Sequence, residues 1–201
     1  MSKKILFMTL AAAVLAVAAS SAAGATTIPD LPDNVDQAYI ADGDGIPEDG
    51  TVTLSGWMNT TSAVAMSCYM HATIDFSDDG TTSVTGFSGT DCTVGGFPTC
   101  SPTTTATGLG WGDRFGYDTG AELFRDYINV QLDITYGTGC PWSGTYTKTG
   151  ILSPEIGIFG STLVASFGAG SGRLTSILGN ESWSGSLWSS SGIGADTQLV
   201  Y

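Results

Sequence analysis

Residues 64–76 read VAMSCYMHATIDF, and their alternation decides the fold. Val64, Met66, Cys68, Met70, Ala72, Ile74 and Phe76 share one parity; Ser67, Tyr69, His71, Thr73 and Asp75 share the other. A helix repeats its apolar residues at three- and four-residue spacing. A period of two over this length belongs to a strand with one buried and one wet face. The pattern returns in YINVQLDITY, residues 127–136, where Ile128, Val130, Leu132, Ile134 and Tyr136 alternate with Asn129, Gln131, Asp133 and Thr135.

Shorter strands are expected at 51–58, 81–87, 103–109, 145–152, 161–167, 183–188 and 197–201. Small-residue turns separate them: Asp78-Asp79-Gly80, Gly95-Gly96, Gly137-Thr138-Gly139 and the Gly-rich run 168–172. Only 120–126 reads as a helical turn. Many short strands at this spacing predict an all-β chain, an antiparallel sandwich or partly closed barrel with two disulfides. A membrane-spanning barrel would need repeated ten-residue strands with an outward apolar band. The middle strands here are too short and too rich in Thr and Gly for that.

At the N-terminus, Lys3 and Lys4 precede an apolar run at 5–19, and Ala23-Gly24-Ala25 offers the small-x-small pattern of a cleavage site. The run is short for a membrane span, which needs about 20 apolar residues. It predicts a cleaved secretory signal peptide at 1–25 and an extracellular or cell-surface location. Residues 26–50 hold seven acids, three prolines and no basic residue, and read as an acidic arm or linker. The β domain then occupies 51–201.

The chain carries 19 acidic and six basic residues, a formal charge of −13. Losing 1–25 would remove two lysines and no acid. Nucleic acid is excluded as a partner because it demands clustered Lys and Arg. No apolar run beyond 1–25 is long enough to span a membrane. Self-association through strand edges, with 195–201 as a donated strand, and binding to cell-envelope components remain as partner classes.

Four cysteines allow three pairings. Cys92 and Cys100 bracket a loop containing Gly95, Gly96 and Pro98 that can fold back on itself, so they are expected to pair. Cys68 and Cys140 then form a crosslink between distant elements. A zinc site is disfavoured by the spacing and by His71 lying on the face opposite Cys68.

Candidate chemistry is sparse. His71 and Asp75 lie on one face but about 13 Å apart along a strand, too far for a hydrogen bond, and no Gly-x-Ser-x-Gly elbow is present. No catalytic residues are therefore assigned, and no cofactor is expected beyond weakly held calcium. Asp42, Asp44, Glu48 and Asp49 form an acidic loop with Gly43 and Gly45 that resembles secreted calcium loops. An EF-hand register would put Ile40 and Thr51 at the first and last ligand positions, so binding is expected to be weak. Asp75, Asp113, Asp118, Glu122, Asp126 and Asp133 are acids that glycoside chemistry could use if two of them faced one another. Trp57, Trp111, Trp142, Trp183 and Trp188 are candidates for a sugar-stacking platform. Trp183 and Trp188, an odd number apart, should face opposite sides of a strand.

The order of Met66-Ser67-Cys68-Tyr69-Met70-His71-Ala72, Gly89-Thr90-Asp91-Cys92-Thr93-Val94, Thr99-Cys100-Ser101 and Gly139-Cys140-Pro141-Trp142-Ser143-Gly144-Thr145-Tyr146 resembles small secreted bacterial proteins. These are the alkane oxidation protein activator family and uncharacterised actinobacterial exported proteins. The likeness includes the stretch Gly108-Leu109-Gly110-Trp111-Gly112 and covers residues 51–150. It implies an exported β protein and brings no catalytic residues with it.

These features together predict a secreted, disulfide-stapled, non-enzymatic β protein of the cell surface or extracellular matrix. A binding module for an apolar or carbohydrate ligand, and a secreted hydrolase, are the alternative readings. Intact-mass measurement of the exported chain should show a first residue of Thr26. A retained 1–25 segment would instead mean a membrane-anchored protein.

Overall fold

The alternation read at 64–76 becomes, over Met66–Phe76, one wall of a closed barrel. The structure is a computed structural model and describes residues 30–45, 48–61, 65–107, 109, 111–168, 171–176, 179–190, 193 and 196–201. The segment 1–25, expected to be a signal peptide, lies outside the described residues. The strands are β1 (Val35–Gln37), β2 (Tyr39–Ala41), β3 (Gly50–Thr61), β4 (Met66–Phe76), β5 (Thr81–Val94), β6 (Thr103–Ala106) and β7 (Trp111–Asp118). They continue with β8 (Leu123–Tyr136), β9 (Gly144–Leu152), β10 (Glu155–Phe159), β11 (Thr162–Phe167), β12 (Gly172–Ser176), β13 (Gly179–Ser189) and β14 (Gln198–Val200).

Following the antiparallel pairings from β3 through β4, β5, β7, β8, β10, β11 and β13 returns to β3, closing an eight-stranded barrel. The long strands β5, β8 and β13 change partners along their length. At one end β5 and β8 are bridged by β7, and β8 and β13 by β10 and β11. At the other end β6 takes the place of β7, and β9 with β12 takes the place of β10 and β11. The ring is thus closed at both levels, and the sandwich alternative is not what forms.

Apolar side chains fill the inside. Leu54, Met70, Leu132, Ile134 and Leu174 are fully buried, and the cluster they belong to runs the length of the barrel. An eight-stranded barrel is just wide enough for side chains to fill it. The outward parity of β3 carries Thr51, Thr53, Ser55, Trp57, Asn59 and Thr61, and that of β4 carries Ser67, Tyr69, His71, Thr73 and Asp75. This apolar-in, polar-out order is the reverse of a spanning barrel.

Several expectations are corrected. The acidic arm is not separate from the core: β1 pairs with β7, and Val35, Ala38 and Ala41 are buried. Gly116 makes this docking possible, because a side chain there would collide with Val35. Gln37 completes it by donating through Nε2 to the carbonyls of Gly80 (2.8 Å) and Phe115 (3.1 Å). The expected helical turn at 120–126 is a turn followed by the start of β8. The C-terminal strand β14 pairs with β2 of its own chain, and Tyr201 stacks on Tyr117 at 3.9 Å.

The disulfides also pair differently: Cys68–Cys92 and Cys100–Cys140, not Cys68–Cys140 and Cys92–Cys100. The physical reason is the length of β5, which runs past its glycines to Val94. A register shift against β4 between Ser67 and Tyr69, with Asp91 at φ 51°, turns Cys92 inward opposite Cys68. For the second pair, β6 lies on the end of β8 with Thr103 opposite Thr135. The segment before β6 and the turn after β8 therefore leave the barrel together, and Cys100 meets Cys140 there.

Peptide mapping without reduction should recover Cys68–Cys92 and Cys100–Cys140. Replacing either pair by alanines should lower stability by about 2–4 kcal/mol in chemical denaturation. Recovery of Cys92–Cys100 would mean that β5 ends early and that the register assigned to it is wrong.

Candidate functional site

Extending the alternation of β8 one step toward its start places Asp126 on the buried face with Ile128, Val130 and Leu132. On β7 the inward parity is Trp111, Asp113 and Phe115. In the β7–β8 register, Asp113 lies opposite Ile128 and Phe115 opposite Asp126. The two aspartates are diagonal neighbours on the inner wall, and both are buried. Thr82, opposite Asp113 on β5, donates its hydroxyl to Asp126 Oδ1 at 3.2 Å. Neither oxygen of Asp113 has a hydrogen-bond partner. Of the six acids considered from sequence, these two are the pair the fold brings together.

Their protonation follows from where they sit. Burial pushes the Asp126 carboxyl up to about 7, against a smaller lowering by the Thr82 hydroxyl. Burial also raises Asp113 well above the usual carboxylate range, and the charge of Asp126 raises it further. Among the described residues, neither takes part in an ion pair. Two like charges in a low-dielectric wall cannot both persist, so the pair keeps at least one proton at neutral pH.

Asp126 borders two small voids, one of about 30 Å³ lined among others by Leu54, Trp111 and Trp183, and one of about 20 Å³ lined among others by Thr82 and Phe115. Each admits a water molecule or two and no sugar ring. The carboxyl pair therefore has the composition of a glycosidase site without the space for its substrate.

A second buried polar pair lies toward the other end. Lys148 on β9 and Glu181 on β13 are 2% and 1% exposed, and Lys148 Nζ donates to Glu181 Oε2. Tyr136 is nearby, its hydroxyl pushed up to about 12 by burial, then by the charge of Glu181 and by Tyr146. Sequence alone singles out neither residue, because the two become neighbours only through the β12 seam between β9 and β13.

The outer surface holds a third arrangement. Trp57 and Trp188 are about half exposed, at 52% and 48%, and stand on the neighbouring strands β3 and β13. Trp188 lies opposite Ser55, which makes Trp57 its diagonal neighbour, roughly 7–8 Å away in ordinary sheet geometry. The band continues on one side through Tyr69 (5.6 Å from Trp57) and His71 (5.1 Å from Tyr69), and on the other through Phe159 (6.2 Å from Trp188). Hydroxyls are interleaved with it: Tyr69 Oη donates to Ser55 Oγ at 3.3 Å, and Ser166 and Ser186 lie 3.3 Å apart.

The remaining candidates resolve as follows. Trp111 and Trp183 are buried, so Trp183 and Trp188 do face opposite sides, while Trp142 packs on Phe97. Asp75 and Asp133 accept hydroxyls from Thr51 and Thr147 on the outside. Asp118 accepts from Asn34 and from the Gly120 and Ala121 amides. Among the described residues no three His, Cys, Asp or Glu side chains form a group that could hold a metal ion. In the acidic loop Asp42 accepts the Asp44 amide at 2.9 Å, and Asp49 accepts the Asp78 amide at 2.8 Å.

No family model, curated protein or solved structure matches the chain.

In the unfolded chain an aspartate titrates near 3.9. At Asp126 the folded chain holds more proton than the unfolded one between that value and about 7, so the contribution of this group to stability falls as pH rises through the window, by roughly 4 kcal/mol, and the raised Asp113 acts in the same direction. Asp126→Asn keeps the bond from Thr82 and should reduce the slope without abolishing it. Thermal melts from pH 4 to pH 8 check this; a wild-type Tm that rises across the window would contradict it.

Proposed function

We propose that this chain is a secreted, non-enzymatic, disulfide-stapled barrel of the cell surface or extracellular matrix that adheres to neutral polysaccharide through its outer aromatic band. The observation that carries the reading is the side-by-side exposure of Trp57 and Trp188, flanked by Tyr69 and Phe159. An indole face offers a flat apolar surface for the C–H face of a sugar ring. The hydroxyls of Ser55, Ser166 and Ser186 beside the rings offer donors and acceptors to its hydroxyls.

The charge around the band points to the kind of partner. Strands β3 and β11 contain no charged residue, and the one charged residue of β13, Glu181, faces inward. An anionic membrane or polymer would need Lys and Arg there, and the whole chain is acidic at −13. The interior supports the non-enzymatic reading through its small voids, and the two disulfides fit an oxidising compartment. Assembly through strand edges receives less support, because the ring is closed and β14 is already paired to β2.

Sedimentation with insoluble cellulose, chitin and peptidoglycan tests the reading. Retention on at least one is expected, with Trp57→Ala and Trp188→Ala each weakening it about tenfold, the equivalent of about 1.4 kcal/mol. Phe97→Ala, away from the band, should bind as the parent does. Failure of all three polymers to retain the folded protein, or full retention by the Trp57→Ala/Trp188→Ala double variant, would overturn it.

A further inference from the structure

Lys148 and Glu181 face each other inside the barrel in surroundings that do not suit two charges. Lys148 stands opposite Leu132 on β8, and Glu181 opposite Leu174 on β12. Leu132 and Leu174 are fully buried, and Tyr136 keeps its proton and so adds no charge. The second carboxylate oxygen, Glu181 Oε1, is buried with no hydrogen-bond partner. A buried ion pair is tolerated when further hydrogen bonds satisfy its remaining lone pairs, and this one lacks them. A neutral linkage between the same two side chains removes both charges and leaves only one carbonyl and one N–H to accommodate.

We propose that Lys148 and Glu181 condense in the folded protein to form an isopeptide bond joining β9 to β13 across β12. The Nζ–Cδ bond forms and the Cδ–Oε2 bond breaks. The ammonium gives up two of its three protons to the departing oxygen, which leaves as water. Charge and atoms balance with no oxidant, reductant or co-reactant. The fold supplies the driving arrangement, since Nζ is held against the carboxylate. Well-oriented intramolecular reactions reach effective molarities on the order of 10⁵–10⁸ M. Exclusion of bulk water from the site works against the reverse hydrolysis.

The position gives the bond a mechanical sense. Cys68–Cys92 ties β4 to β5, and Cys100–Cys140 ties the segment before β6 to the turn after β8. Both lie at the same end of the barrel as Lys148 and Glu181. That end depends on β12, five residues long, for its seam between β9 and β13. A Lys148–Glu181 bond secures the seam that neither disulfide reaches. Unlike them, it survives a reducing environment.

Mass spectrometry of the exported, folded protein, taken after denaturation and reduction, tests the proposal. The expected mass is one water lower than the reduced chain with the same termini. Protease digestion should yield a branched peptide carrying both Lys148 and Glu181, and Lys148→Met should restore the full mass. A wild-type chain of full mass, with Lys148 and Glu181 in separate peptides, overturns the proposal. So does a water loss that persists in Lys148→Met. The wild-type measurement decides by itself if the variant fails to fold.

Discussion

Closure of the sheet on itself is the constraint from which the other features follow. A sheet with free edges can splay to accommodate what lies on it; a closed ring of eight strands has a fixed bore that its inward side chains must fill. Here the ring is closed twice along its length, because β5, β8 and β13 exchange partners midway. That exchange makes the short strands β6, β7, β10 and β12 structural necessities. Each satisfies backbone groups that the long strands would otherwise leave unpaired. It also explains why the N-terminal acidic segment is drawn into the fold: β1 continues the pairing of β7 beyond the point where β5 turns away.

A filled bore separates inside from outside in function as well as in polarity. Among the described residues the buried charged side chains are two aspartates near one end and a lysine with a glutamate near the other. The aspartates avoid the penalty of burial by keeping protons, which makes them a source of pH dependence and not a nucleophile open to substrate. The Lys148–Glu181 pair has no such escape while it stays ionic. Outside, the aromatic band is the feature whose exposure burial energetics does not explain. Two half-exposed indoles on neighbouring strands are an ordinary packing liability unless something covers them.

Much of the fold was legible in the sequence, and the gaps have a common cause. The strict alternation at 64–76 and 127–136 marked β4 and β8 because every inward position there is apolar or a disulfide cysteine. Strand β7 was not legible because Asp113 occupies an inward position between Trp111 and Phe115, interrupting the apolar parity. Strand β9 is legible at 145–152, but nothing in its pattern marks Lys148 as an inward residue. The start of β8 was taken for a helical turn because Asp126 was not counted with Ile128. At β7 and at the start of β8 a buried aspartate interrupts the apolar parity, so the residues that hide these strands are also the titratable groups of the interior. The disulfides pair differently from expectation for another reason: the loop with Gly95, Gly96 and Pro98 suggests that Cys92 and Cys100 meet, whereas the register shift that turns Cys92 toward Cys68 depends on the partner strand β4. The outward position of Trp188 relative to Trp183 was readable from parity alone. Its approach to Trp57 was not, since the two are neighbours only once β13 closes onto β3.

Amide hydrogen exchange on the short closing strands tests the closed ring most directly. If β7, β10 and β11 complete the barrel, their ring-paired amides open only with the molecule as a whole and exchange as slowly as those in the middle of β3 and β4. Fast exchange in β7 and β10–β11, with β3, β4 and β5 still protected, would show an open sheet with free edges. It would contradict both the filled bore and the division of roles between inside and outside.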